Sequence, residues 1–285
     1  MTKRAYLILI TLFIANIFAF GVMAEVSRPP VAEVVFFDVG QGDAALIKTS
    51  GGHKILIDGG PGSVVLDKLA QEMPFWDRKI DLVILSHPHS DHMDGLVKVI
   101  ESYDVGWILW NGAEGDETSF SQWVDTIEGM DTTIAQAGQR IKGKDFYLDI
   151  LYPFKSIDNV SDLNETSVVV RLVSNQGTFL FTGDSYASNE KELVEMEKSC
   201  HDNPSPFCRV MVLDSDVLKV GHHGSKTSSS GEFIEAVSPS VAVISSGRGN
   251  SYGHPHKETL ERLLSYGIRV LRTDREGDIK IVYER

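Results

Sequence analysis

Basic residues are scarce in this chain: 27 Lys and Arg stand against 40 Asp and Glu over 285 residues, a formal net charge of −13. That deficit argues against a protein that coats nucleic acid by charge alone, because such binding needs Lys and Arg to displace counterions. It leaves open an enzyme that handles phosphates through metal ions. There is no repeat of 20–50 residues and no low-complexity tract, so solenoids and collagen-like arrays are excluded. Cysteine is almost missing. Cys200 and Cys208 stand alone in CHDNPSPFC, with only His201 beside them. That is a poor metal site, and in an oxidising compartment the pair reads as a disulfide closing a short loop. The 42% hydrophobic and 24% charged content is that of a globular chain, which sets disorder and coiled coil aside.

Long apolar runs are also missing, with one exception. Ala5–Ala24 carries no charge and follows Lys3 and Arg4. Small residues at Val22 and Ala24 suit a signal-peptidase site, so residues 1–24 read as a secretory signal peptide. The alternative is an uncleaved membrane anchor, since about 20 apolar residues can span a bilayer. Either way residues 25–285 are expected to be exported as one domain. Removing the segment takes away Lys3 and Arg4 but no acid, which moves the charge to −15.

Beyond it, strand-like and helix-like stretches alternate, which indicates an α/β domain. Short β-rich runs at Glu33–Val39, Ala44–Lys48 and Lys54–Ile57 are broken by glycines. The run Asp81–Leu85 suits a buried strand and leads straight into Ser86–Gly95, SHPHSDHMDG. A helix is expected over Met93–Tyr103 and another over Glu190–Glu197. The end of the chain reads as a hairpin of Arg269–Thr273 with Ile279–Glu284. Trp107, Trp110, Phe120 and Trp123 could stack bases, but their spacing fits core packing.

His87, His89, Asp91 and His92 fall within six residues at the mouth of a buried strand. Imidazole and carboxylate suit zinc and related divalent ions. His87 and His89 alternate in an extended loop and can reach one ion. Asp91 and His92 can face a second.

This segment resembles the HxHxDH signature of the metallo-β-lactamase superfamily, a four-layer αββα sandwich with a two-metal site. Asp58-Gly59-Gly60 resembles that family's Asp-x-Gly turn, whose Asp stands behind the site. Phe181-Thr182-Gly183-Asp184 resembles the segment whose Asp bridges both metals. Three further stretches resemble the metallo-β-lactamase-like domain of ComEC-type competence proteins: FFDVGQGDA with Asp38 and Asp43, LKVGHHGSKTS around His222 and His223, and NSYGHP at His254. The resemblance implies a hydrolase with two divalent ions, zinc or manganese, that activate water for attack.

The chain departs from the superfamily in having no His between His92 and His201. Asn164 stands where a metal His is usual. The first site is then His87, His89 and Asp184, completed by Asn164 or water, with weaker binding of one ion and more tolerance for manganese. His222, His223 and His254 compete as last ligand; His222 or His254 is favoured over His223, the other of the two serving as proton donor or phosphate contact. His223, Ser225, Lys226 and Thr227 are expected to meet substrate. Asp38, Asp43 and Asp58 are expected to support the ligands. The implied substrate is a small or polymeric phosphodiester, DNA among the candidates, with no protein partner evident. The alternatives are a phosphorylcholine-type esterase, a lactonase, a β-lactamase or a degenerate binding module.

Overall fold

The computed structural model describes residues 3–26, 32–115, 118–155, 157, 160–175 and 177–282. The apolar N-terminal run forms a helix, α1 (Lys3–Val26), and its Lys3–Gly21 stretch is long and apolar enough to cross a membrane. Next come β1 (Glu33–Phe36), β2 (Ala45–Lys48), β3 (Lys54–Ile57), α2 (Val64–Glu72), β4 (Lys79–Ile80), β5 (Leu82–Leu85) and α3 (Ser90–Ser102). The chain continues through β6 (Asp104–Val105), β7 (Ile108–Trp110), α4 (Thr118–Ile127), β8 (Thr132–Ile134), β9 (Arg140–Lys142) and β10 (Phe146–Tyr152). Then follow β11 (Val169–Ser174), β12 (Gly177–Phe181), α5 (Ala187–Asp202), β13 (Val217–Lys219), α6 (Gly231–Val237) and β14 (Val241–Ile244). Last are α7 (Lys257–Ser265), β15 (Arg269–Arg272), α8 (Thr273–Glu276) and β16 (Ile279–Val282).

The strands make two seven-stranded sheets, β16-β1-β2-β3-β5-β7-β8 and β15-β14-β13-β12-β11-β10-β9, with β4 and β6 as a small parallel pair. Side chains on a strand alternate between faces, and here both faces are apolar. Phe36, Ile55 and Ile84 point between the sheets toward Phe179, Phe181 and Val243. Their neighbours Val35, Leu56 and Val83 point outward onto Val65 and Leu69 of α2, Leu96 of α3 and Trp123 of α4. Behind the second sheet, Leu180, Leu218 and Ala242 pack on Leu193 of α5, Phe233 of α6 and Leu263 of α7. The architecture is the four-layer αββα sandwich. Trp107, Trp110, Phe120 and Trp123 all belong to this packing, which accounts for their spacing.

Three expectations need correction. The last two strands are not a hairpin: β15 closes one edge of the second sheet, and β16 pairs with β1 in the first. Between them, α8 buries Thr273, whose hydroxyl accepts from the Ser246 amide at 3.0 Å and turns the chain from one sheet to the other. The third helix begins at Ser90, so Asp91 and His92 lie in its first turn rather than ahead of it. The helix expected at Glu190 begins three residues earlier, at Ala187. Cys200 and Cys208 do form a disulfide, linking the last turns of α5 to the loop after it.

The α3 start is seated by two glycines. Gly59 N–H donates to His92 O (2.7 Å) and Gly95 N–H to Gly60 O (2.9 Å), and a Cβ on Gly95 would overlap the Gly59 carbonyl. Gly95→Ala is expected to lose about 1–3 kcal/mol of stability by overpacking, read as a lower urea midpoint with an unchanged slope.

Candidate metal centre

Strands of both sheets deliver their carboxyl ends to one place. Asp58 follows β3, Ser86-His87 follow β5, Asp184 follows β12, and His222-His223 follow β13. Asp58 takes a left-handed backbone (φ 57°) and buries its carboxylate. That carboxylate accepts from Ser86 N–H (2.7 Å) and Ser86 Oγ (2.8 Å) and faces His92 Nδ1 at 2.8 Å. Burial raises the Asp58 pKa, with His92 opposing. The arrangement gives His92 its Nδ1–H tautomer and turns Nε2 toward Asp184 Oδ1 (3.4 Å).

His223 is held the same way. Its Nδ1 faces Ser245 O (3.1 Å) and Asp43 Oδ1 (3.3 Å), and its Nε2 faces Asp91 Oδ2 (3.2 Å) and Asp184 Oδ2 (3.4 Å). Asp43 is in turn paired with the buried Lys219 at 2.5 Å. Burial opposes charge on both imidazoles, yet Asp184 and Asp58 raise the His92 pKa well above its usual value. Asp184 and Asp43 raise His223 to about 10. His87 is different. It is fully buried between Ser86 Oγ (3.0 Å from Nδ1) and His89 Nδ1 (3.0 Å from Nε2), and burial drives its pKa well down.

Asp43, His92, Asp184 and His223 each place a ligand atom within 4.8 Å of the others. Asp43 Oδ1, His92 Nε2 and Asp184 Oδ1 are buried without a hydrogen-bond partner. Buried polar atoms are normally satisfied, so this set of imidazole and carboxylate donors fits a divalent ion. Asn164 fits a ligand role as well. Its NH2 donates to the Tyr186 hydroxyl (2.8 Å), which leaves Oδ1 buried and unpartnered.

A cleft of about 650 Å³ opens over the cluster, lined by His89, Asp91, Asn164, Asp184, His222, His223 and His254 with Gln41 and Tyr252 at its rim. His222 (φ 48°) sits with Nε2 at 4.0 Å from Asp184 Oδ2, its ring against Tyr186 and His254. Burial lowers the pKa of His222, and takes His254 to about 4 with help from His223.

The expected residues therefore meet, but in altered places. His87, His89, Asp91, His92, Asp184, His222 and His254 converge, with Asp58 behind His92. His223, expected to contact substrate, lies in the cluster of ligand atoms instead, its ring held inward by Ser245 O and Asp43 at Nδ1. Asp43 falls within the same cluster and supports it as expected, facing His223 Nδ1. Asp38 does not approach it. Its backbone N–H donates to Asp278, and its carboxylate accepts from Gly40 N–H at 3.3 Å, shaping the turn to the rim. Ser225, Lys226 and Thr227 are not among the lining residues. Thr227 Oγ1 meets His222 Nδ1 (3.2 Å) and donates to Ser225 Oγ (2.9 Å), while Lys226 N–H donates to His256. Sequence reasoning missed Ser86, Tyr186, Tyr252 and Lys219. For Lys219 a signal existed: a charge inside the apolar strand VLKV.

The raised pKa values have a sign. Protonated His92 and His223 stabilise the ion-free fold fully below pH 6.5, and this is lost as pH rises through the folded pKa, about 10 for His223. In chelator, the melting temperature is expected to fall from pH 6.5 toward 10. Saturating Zn²⁺ is expected to flatten that decline, as thermal scans across the range will show.

A metallo-β-lactamase superfamily model matches residues 37–248. The competence protein ComA of Neisseria gonorrhoeae is 32% identical over 87% of this chain, and the ComE operon protein 3 of Bacillus subtilis is 28% identical over 88%. The chain spans about a third of the length of these relatives, 32% and 33%. Among solved structures, Igni18, a metallo hydrolase from the archaeon Ignicoccus hospitalis, superposes with a TM-score of 0.57 at 14% identity, covering 88% of this chain and all of that one. The match over most of the chain, with the sandwich and its cluster, means that this protein belongs to the metallo-β-lactamase superfamily.

Proposed function

We propose that the chain is an exported phosphodiesterase or nuclease, acting on DNA or another phosphodiester outside the cytoplasm. The observation that carries this reading is the cleft. Asp91, Asp184, His89, His222, His223 and His254 line it with Asn164 and Gln41, alongside the apolar Val39 and Pro61. The imidazole and amide groups beside the cluster suit the charged oxygens of a phosphodiester. The similarity to competence proteins points the same way.

Two zinc or manganese ions fit. His87, His89, Asp184 and Asn164 would hold one, and Asp91, His92, Asp184 and His223 the other, with Asp43 beside them. Bound there, they would supply Lewis acidity that makes water nucleophilic near neutral pH and offsets charge on the phosphoryl oxygens. The chain's own part is orientation. Asp58 and Asp43 keep the Nε2 atoms of His92 and His223 turned to the floor. His222 and His254, neutral at pH 7 because their pKa values are lowered, can offer N–H groups to a phosphoryl oxygen or a leaving group. Tyr252, stacked on His254 at 5.7 Å, presents an exposed ring at the rim.

The protein is expected to hydrolyse bis-p-nitrophenyl phosphate with Mn²⁺ or Zn²⁺, to leave nitrocefin intact, and to lose phosphodiester turnover at least 100-fold in Asp91→Ala. No turnover with any metal sinks the reading. Asn164→His restores the imidazole missing from the first site. About a tenfold slower loss of one ion on dialysis is expected, measured by metal content; an unchanged rate would remove Asn164 from the ligand set.

A further inference from the structure

Phe75 and Trp76, in the turn after α2, leave large aromatic side chains in solvent, 76% and 47% exposed. Their rings pack edge to face with centroids 4.7 Å apart, so they form one apolar knob. Neither residue lines the cleft. A single exposed aromatic is ordinary, but the position of this pair is informative.

Ion pairs hold the turn at one end of the first sheet. Asp77 pairs with Lys54, the first residue of β3, at 2.7 Å. Glu72, just before the turn, pairs with Lys48, the last residue of β2, at 2.9 Å. Lys48 also pairs with Glu33, the first residue of β1. That is the end from which the chain leads back to α1. Six residue steps separate Val26 from Ala32, a reach of about 20 Å at full extension. The metal centre lies at the opposite end of the same strands, beyond the last residue of β3 and of β5. Charges at the aromatic end compensate one another: Lys48, Lys54, Lys79 and Lys280 meet Glu33, Glu72, Asp77 and Asp81. In a chain of net charge −13, these pairs offset much of the acidic charge beside the knob.

We propose that Phe75 and Trp76 insert into the interfacial layer of a lipid bilayer crossed by α1, seating the domain with its cleft turned away from the membrane. Tryptophan favours that layer, where its ring is half apolar and its N–H stays wet. The apolar helix supplies the attachment and the aromatic knob sets the orientation. This inference rests on α1 remaining attached, and not on which substrate the cleft takes.

The test uses the full chain in phosphatidylcholine vesicles with brominated acyl chains. The lipid is expected to quench one tryptophan's share of the fluorescence, and Trp76→Phe to lose that share. Trp107, Trp110 and Trp123 pack in the protein and are not expected to respond. In Phe75→Ser/Trp76→Ser, trypsin is expected to cut after Arg78 and Lys79 several-fold faster on vesicles, with the melting temperature in detergent unchanged. Equal quenching of the wild type and Trp76→Phe would overturn the proposal. So would quenching that follows protein density rather than lipid, which indicates a second copy. A chain recovered from exporting cells without residues 1–24 would overturn it as well.

Discussion

The buried carboxylate of Asp58 ties together pieces of chain that would otherwise be independent. It joins the turn after β3 to the loop after β5 and to the first turn of α3. A carboxylate buried this deeply is unfavourable by itself, and burial does raise its pKa. It is tolerable because His92 and Ser86 surround it. His92 is consequently fixed in one tautomer, with Nε2 aimed at Asp184. The glycines at 59 and 95 serve the same junction, since the helix could not approach the turn past a Cβ.

Much of the sandwich was legible because its strands are apolar on both faces and short, and because glycines mark the turns between them. The ligand loop was legible because three imidazoles and a carboxylate crowd into six residues. What escaped was direction. His222 and His223 are adjacent, and both adopt left-handed backbone (φ 48° and 53°), so no strand or helix period says which ring faces inward. The structure turns His223 to the cluster and leaves His222 on the cleft wall. The serine- and threonine-rich stretch after them looked like a phosphate cradle. Its hydroxyls instead brace the loop, with Ser228 Oγ donating to Gly221 O at 2.7 Å. The crossing of β16 to the first sheet was hidden for a related reason. Two β-rich runs separated by a polar turn look like a hairpin, and the pairing of β16 with β1 rather than β15 reveals the exchange of sheets.

Charge connects the centre to the composition. Asp43, Asp58, Asp91 and Asp184 converge around His92 and His223, so part of the acidic excess has a local use. Carboxylates this close repel unless cations lie between them. His92 and His223, whose pKa values these carboxylates raise, lie among them, and the same donor set suits divalent ions.

Lys219 shows why an ion can bind there without disturbing the frame. Its ammonium is buried, pairs with Asp43 and donates to Val220 O at 3.0 Å. Unlike the imidazoles, it does not face Asp91 or Asp184, so an incoming ion has no reason to displace it. Asp43 therefore keeps a fixed positive partner in both states and can go on holding His223 Nδ1. With Asp58 holding His92 from the other side, the floor has two imidazoles whose outer nitrogens are occupied by carboxylates. Their inner nitrogens, turned to the floor, are the ones that would hold an ion.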